Sequence, residues 1–407
     1  MTFGLRPNFI TTLIIMNKDN FKKWPHFDDA DIRAVSDVLK SGKVNRWTGS
    51  KNGEFEGKLA RLAGTKHAIA LANGSLALEL ALYAAGVGEG DEVVTTCRTF
   101  MASASAAVMR GAKPVVADVD LDSQNLTAES VEKCLTPRTK AIIAVHHAGW
   151  PCDMEPIMRL AKERGLFVIE DCAQAHGAVY RGRPVGGIGD IAAWSFCQDK
   201  IITTCGEGGA VTCNDDALWK KMWAYKDHGK SYDAVYNRSH TEGFRWLIES
   251  FGTNWRMTEM QAAQGSLWLD KLPEWTKIRN RHAAKLNALL GRFPCVRTTV
   301  PPADITHAYY KFYCFVRPEK LKPGWTRDRI AKEISDLFVP CFSGSCWNIS
   351  AEKAFADRGW TKTEAELPNA AAMRDTSLMF LVHPTITDED MDGACEIISG
   401  VLSKAQA

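Results

Sequence analysis

From Lys66 to Asn214 the chain alternates short apolar runs with longer amphipathic segments, and this pattern limits the folds open to it. HAIALA (67–72), EVVTTC (92–97), KPVVADV (113–119), AIIAVHH (141–147) and LFVIED (166–171) read as strands. Between them, Ser75–Ala85 and Asp153–Arg164 have helical spacing. Strands alternating with helices pack as a mostly parallel sheet covered on both faces, an α/β arrangement. DIAAWSF (190–196) and GGAVTCN (208–214) follow each other without a long helix, which predicts a tighter, antiparallel connection.

Helices are expected over Asp215–Tyr225, Thr258–Leu272 and Lys277–Leu290, the second ended by Pro273. HAYYKFYCFV (307–316) and SLMFLVHP (377–384) read as strands of a smaller α+β domain. The expected division is therefore a large domain with an N-terminal arm over 16–275 and a small C-terminal domain over 276–407. Residues 1–15 read as a disordered extension or a start placed too early, since their apolar run (9–16) is too short to span a bilayer.

Composition narrows the partners. A formal charge of +2 gives no basic face for nucleic acid. None of the twelve cysteines forms a Cys-x-x-Cys pair and no His-Glu-x-x-His occurs, so a zinc site has no support. Cys172, Cys197 and Cys213 lie in apolar runs and read as small buried hydrophobes, which fits a reducing cytoplasm.

In open α/β sheets ligands bind beyond the carboxyl ends of the strands, and four polar features stand there. Asn73-Gly74-Ser75 opens a helix, whose free N–H groups and dipole suit a phosphate; the plainer reading is a turn with Ser75 as N-cap. Glu170-Asp171 ends a strand, and a carboxylate there either holds a proton on a ring nitrogen or caps the next turn. Ser195 ends another strand, and Lys200 follows five residues later as a possible nucleophile or an ordinary surface lysine. Gly206-Glu207-Gly208-Gly209 makes a tight turn that matches neither the Walker nor the dinucleotide loop.

Order and spacing make these features specific. The blocks WTGSKNGEFE, NGSLALELAL, GDEVVTTCRTFMASA, EDCAQAHGA, SFCQDKIITTCGEGGAV and NWRMTEMQAAQG resemble the DegT–StrS group of fold-type-I, pyridoxal-phosphate (PLP) nucleotide-sugar aminotransferases, from about Trp24 to the C-terminus. The resemblance implies that Lys200 carries PLP as a Schiff base and moves the proton. It implies that Asp171 pairs with the pyridinium nitrogen, Gln174 meets the 3-oxygen side and Phe100 stacks on the ring, where the plainer reading is a core phenylalanine. Gly74, Ser75 and Ser195 would hold the phosphate, and Asn254 would reach the phosphate site of the partner in a homodimer.

The implied reaction takes an amino group from a donor, L-glutamate, to a nucleotide-linked keto-sugar, a 4-keto-6-deoxyhexose, for surface polysaccharide, lipopolysaccharide or related glycans. Thr48, in Asn45-Arg46-Trp47-Thr48-Gly49, would bind that substrate, where the plainer reading is a loop packing on the next helix; Tyr313 would bind it too, and Lys311 is a candidate to meet its diphosphate, where the plainer reading is a solvated strand residue. Relatives with histidine at the lysine position act as dehydratases, so a PLP-dependent dehydratase or deoxygenase is one alternative and a non-catalytic regulatory relative another; Lys200 favours amino transfer. Many relatives have a His-Leu-Tyr sequence where this chain has Lys311-Phe312-Tyr313, and CFSGSCWNIS (341–350) falls where relatives vary with substrate.

Overall fold

The computed structural model describes residues 23–240, 242 and 245–407. The expectation for 1–15 lies outside the described residues.

The apolar runs become a seven-stranded sheet: β1 (His67–Leu71), β2 (Glu92–Thr96), β3 (Lys113–Ala117), β4 (Thr139–Val145), β5 (Phe167–Asp171), β8 (Ile191–Ser195) and β9 (Gly209–Cys213), in the order β1-β9-β8-β5-β4-β2-β3. A short ribbon joins β6 (Val179–Tyr180), β7 (Arg183–Pro184) and β11 (Ile305–Thr306). From β8 to β3 every pairing is parallel, while β9 runs antiparallel to both β8 and β1. Two reversals restore the direction, so β1, β2, β4, β5 and β8 all end at one edge. The fold is an α/β arrangement with a mixed, mostly parallel sheet.

Both faces of this sheet are covered, which is why its strands are apolar without alternation. Ile69, Val93, Ile143 and Ile169 pack on one side with the helices Gly74–Ala84 and Asp216–Tyr225. On the other side, Ala70, Ala192, Trp194 and Ala210 pack with Phe55, Leu59 and Trp268. Val94, Ile142, Ala144 and Val168 pack there with Ile157 and Leu160.

A second, antiparallel sheet has the order β10-β12-β14-β13, from β10 (Val296–Thr298), β12 (Phe312–Val316), β13 (Cys341–Phe342) and β14 (Ser377–Phe380). Its core is built by Phe312, Cys314, Leu378 and Phe380 with the helix Asp388–Ala405.

Two expectations are corrected. Pro273 does not end a helix: one helix runs from Glu259 to Leu290, straight through 275 and 276, where the sequence reading divides the chain. Proline removes one backbone donor, and the burial of Trp268, Leu269 and Leu272 before it and of Arg279, His282 and Leu286 after it outweighs that loss. The run 307–316 is a strand only from Phe312. Residues 307–311 are instead pinned to the larger sheet's loops, with Ala308 N–H donating to Gly149 O and Tyr310 N–H to Ala148 O. Tyr309 takes a left-handed φ of 46° there, which breaks strand geometry.

Candidate active site

The polar residues at the shared strand edge converge. Beyond β1, Asn73 is extended and its side chain accepts from Leu76 N–H at 3.0 Å, so Asn73, not Ser75, caps the helix Gly74–Ala84. Gly74 and Ser75 form its first turn, where backbone N–H groups have no helical acceptor. The approach of β8 is tight: a Cβ on Gly74 would lie 2.5 Å from Ser195 Cβ, and one on Gly209 would lie 2.2 Å from Asn73 O. Only glycines permit this packing. It brings the Ser195 hydroxyl beside a helix N-terminus, an arrangement suited to a phosphate.

Asp171 ends β5, is 6% exposed and accepts from Ser103 Oγ at 2.9 Å and Ala173 N–H at 3.1 Å. Burial pushes its carboxyl above the ordinary range; those two bonds and the charges of Lys200 and His146 oppose but do not cancel it. Its bond to Ala173 is the turn cap of the plainer reading, so Asp171 does that, and among the described residues no cation forms an ion pair with it.

Lys200 lies in the turn after β8 with its side chain 16% exposed, not a solvated surface group. Its backbone carbonyl accepts from Trp24 Nε1 at 2.8 Å. Its ammonium sits 3.9 Å from Asp199 Oδ1 and 5.0 Å from the centre of the Tyr310 ring. The Tyr310 hydroxyl donates to Asp199 Oδ2. Burial raises the Tyr310 hydroxyl, with Asp199 adding to it. Burial works to raise Asp199 too, but Lys200 and the Tyr310 hydroxyl bring it below the ordinary value.

Phe100 follows β2 and is 73% exposed, so it is not a core phenylalanine. Gln174 turns inward, its Oε1 accepting from Ala148 N–H at 2.7 Å. Tyr313, in β12, is largely buried and its hydroxyl accepts from Ser345 N–H at 3.0 Å, which ties it to the 341–350 loop. Lys311 is partly buried, with Nζ 4.6 Å from the Tyr310 ring centre.

Two expected residues are exposed and their side-chain bonds are local, although the segment of Asn254 runs beside β1, with Ala72 N–H donating to Trp255 O at 3.0 Å. Thr48 is exposed in a turn, its hydroxyl donating to Asn45 O at 3.1 Å. Asn254 is exposed and its Oδ1 accepts from Arg256 N–H at 3.4 Å. All twelve cysteines are free, with Cys172 and Cys213 buried and Cys197 only partly so.

Ser103, Asp199 and Tyr310 belong to the site but escape a reading by motif. Ser103 had a signal: it lies three residues past Phe100, one helical turn on. Tyr310 lies 111 residues from Asp199, and nothing local announces the contact.

The residues fit PLP. A buried carboxylate short of a cation matches a pyridinium nitrogen, the Gly74–Ser195 cradle matches a phosphate, and the bare Phe100 ring offers a face to a flat ligand. No helix among the described residues is long and apolar enough to cross a membrane.

Comparison with known proteins agrees. Residues 25–399 match the model of the DegT/DnrJ/EryC1/StrS aminotransferase family. The structure of the aminotransferase from Psychrobacter cryohalolentis superposes with a TM-score of 0.91 at 52% identity, over 94% of this chain and 99% of that one. DesV of S. venezuelae, solved with a ketimine intermediate, gives 0.81 at 30% identity, over 91% and 94%. GDP-perosamine synthase of Caulobacter vibrioides is 42% identical over 70% of this chain and 74% of its own length.

Proposed function

The chain belongs to the DegT/DnrJ/EryC1/StrS aminotransferase family and is a PLP-dependent transaminase, and from that footing we propose that it aminates a nucleotide-linked keto-sugar with L-glutamate as donor. The acceptor proposed is a 4-keto-6-deoxyhexose destined for surface polysaccharide, lipopolysaccharide or a related glycan. The observation that carries this reading is the lysine itself: Lys200 is shielded in the turn after β8, with its ammonium beside Asp199 and Tyr310 and within electrostatic reach of Asp171.

Bound PLP supplies an electron-withdrawing ring that can store an amino group between donor and acceptor. This chain's residues do the rest. Lys200 holds the cofactor covalently and carries the proton to and from the substrate carbon. Asp171, kept in place by Ser103, holds the proton on the ring nitrogen. Gly74, Ser75 and Ser195 bind the phosphate, Phe100 covers a ring face and Gln174 faces the 3-oxygen side. In the homodimer, Asn254 reaches the partner's phosphate site. Thr48, Lys311 and Tyr313 line the nucleotide-sugar side.

The test uses the purified protein with L-glutamate and a panel of nucleotide keto-sugars. A visible Schiff-base band, bleached by borohydride, and transfer of one amino group per sugar are expected, and Lys200→Ala should lose both band and turnover. Full turnover in Lys200→Ala, or efficient use of simple keto acids with no response to any nucleotide sugar, would overturn the reading.

A further inference from the structure

We propose that Lys311 is an anchor for a carboxylate of the amino-acid donor, so that one cation serves both substrates of a double-displacement reaction. This rests on the aminotransferase reading and adds to it a donor-side residue.

Lys311 stands at the last position of the pinned segment 307–311, which the Ala148 and Gly149 carbonyls tie to the loop after β4. Lys311 and Lys200 lie 4.6 Å and 5.0 Å from the same Tyr310 ring centre, which puts the two ammonium groups less than about 10 Å apart. Behind them, Arg279 is fully buried and spends its Nη1 on the carbonyls of Tyr309 and Tyr310, at 3.1 Å and 3.4 Å. Lys200 and Lys311 therefore share one carboxylate, Asp199, and that carboxylate is committed to the Tyr310 hydroxyl and to Lys200. Among the described residues Lys311 Nζ has neither an ion pair nor a hydrogen bond.

A second ionic cluster in the same protein shows what a fully paired arrangement looks like. There Lys226, Lys230 and Arg256 all face Asp227, at 3.6 Å, 2.9 Å and 2.6 Å. Among the described residues no carboxylate lies at ion-pair distance from Lys311, and an ammonium held beside the strand-edge site in that state is available to an anion from outside.

The donor brings that anion to the right distance. Its nitrogen must come to the position of Lys200 Nζ. Its α-carboxylate then lies about 2.5 Å from that nitrogen, and the distal carboxylate of a five-carbon dicarboxylate up to ~6 Å away. Adding an ion-pair contact of ~2.8 Å, the distal carboxylate covers most of the separation open to the two ammonium groups, and the α-carboxylate covers the shorter part of it. Donor and acceptor occupy the same site in turn, so the cation that meets the acceptor's diphosphate is empty when the donor arrives.

The charge state agrees. Burial pushes Lys311 down to about 8, Asp199 opposes this, and Arg279 and Lys200 reinforce it. These groups, with His383 and the Tyr310 hydroxyl, are the titratable neighbours. A bound carboxylate would favour the protonated form, so donor affinity should fall as pH rises past about 8.

The experiment compares Lys311→Met, which keeps the stem, and Lys311→Arg, which keeps the charge, with the wild-type holoenzyme. Each half-reaction is followed separately by absorbance, and binding of glutarate, which cannot transfer an amino group, is measured by calorimetry. In Lys311→Met the donor KM and the glutarate Kd should rise roughly ten- to a hundredfold, with substantial recovery in Lys311→Arg. A penalty confined to glutamate and absent for alanine assigns the distal carboxylate; a penalty on both assigns the α-carboxylate. A donor KM and glutarate Kd within about threefold of wild type overturns the proposal, even if the sugar KM rises. So does loss of the cofactor band, which would make Lys311 a support for the cofactor. If instead the wild type transfers no amino group from any donor, it is the underlying reading that fails.

Discussion

Glu170 and Asp171 are neighbours on β5, both buried, and their side chains leave the strand on opposite faces. On one face Glu170 accepts from the N–H groups of Gly186, Ile188 and Gly189 and meets His146 at 3.1 Å. On the other, Asp171 has the Ser103 hydroxyl and one N–H. Burial works to raise both carboxyls. His146 and the loop N–H groups bring Glu170 below its ordinary value, whereas Asp171 stays above. Burial alone therefore does not mark a functional carboxylate. The deficit of donors does, because a charge left short of partners inside a protein is waiting for one from elsewhere.

If this contrast is right, the two residues should fail in different ways. Asp171→Asn should cost activity by roughly 10²–10⁴-fold, the range for removing a positioned proton-holding group, with the fold intact. Glu170→Gln should do the reverse. Breaking that buried pair should cost stability by about 3 kcal/mol, read from denaturant midpoints, while folded protein keeps near-normal turnover. Equal losses of stability in both variants would erase the distinction.

The smallest effect is in the pH dependence of cofactor-free protein, and there the signs oppose. Glu170 has a lowered carboxyl, so its contribution is full above its ordinary value of about 4.5 and is lost as pH falls through the lowered one. Asp171 has a raised carboxyl, so the folded state binds its proton more tightly than the unfolded chain. Its cost to stability therefore appears as pH rises past about 4 and levels off above the raised value. Relative to wild type, Asp171→Asn should gain stability over that rise, and Glu170→Gln should lose it as its own window is crossed upward. Denaturant midpoints with the same sign of slope for both would contradict the assignment.

Much of this was legible in the chain itself. β1, β2, β4, β5 and β8 are apolar because helices cover both sheet faces, and such runs are visible without a structure. Asp171 and Ser195 stand out because they end apolar strands, and Lys200 because it follows Ser195 by five residues, while the roles proposed for them come from the family resemblance. Misreadings arose where tertiary contacts overrule local preference. Pro273 looks like a stop, yet the helix around it is clamped by burial on either side. The aromatic run at 307–311 looks like a strand, yet two carbonyls of another loop claim its N–H groups. The role of Tyr310 was invisible for the same reason: its partner is distant in sequence.

The uninterrupted helix Glu259–Leu290 also bears on how this protein could be re-engineered. At about 1.5 Å per residue its 32 residues make a rod of roughly 48 Å. One end packs against the helices Asp29–Ser41 and Lys51–Ala63 beneath the larger sheet, and the other against β10 and the helix Asp388–Ala405 of the smaller. A graft that exchanges the C-terminal third for a relative's therefore has no natural seam at 275. A cut there would sever a turn of helix and splice two foreign halves of one rod. The first break that leaves the rod whole comes after Leu290, ahead of β10, so the unit that can be traded between relatives is shorter than the sequence makes it look.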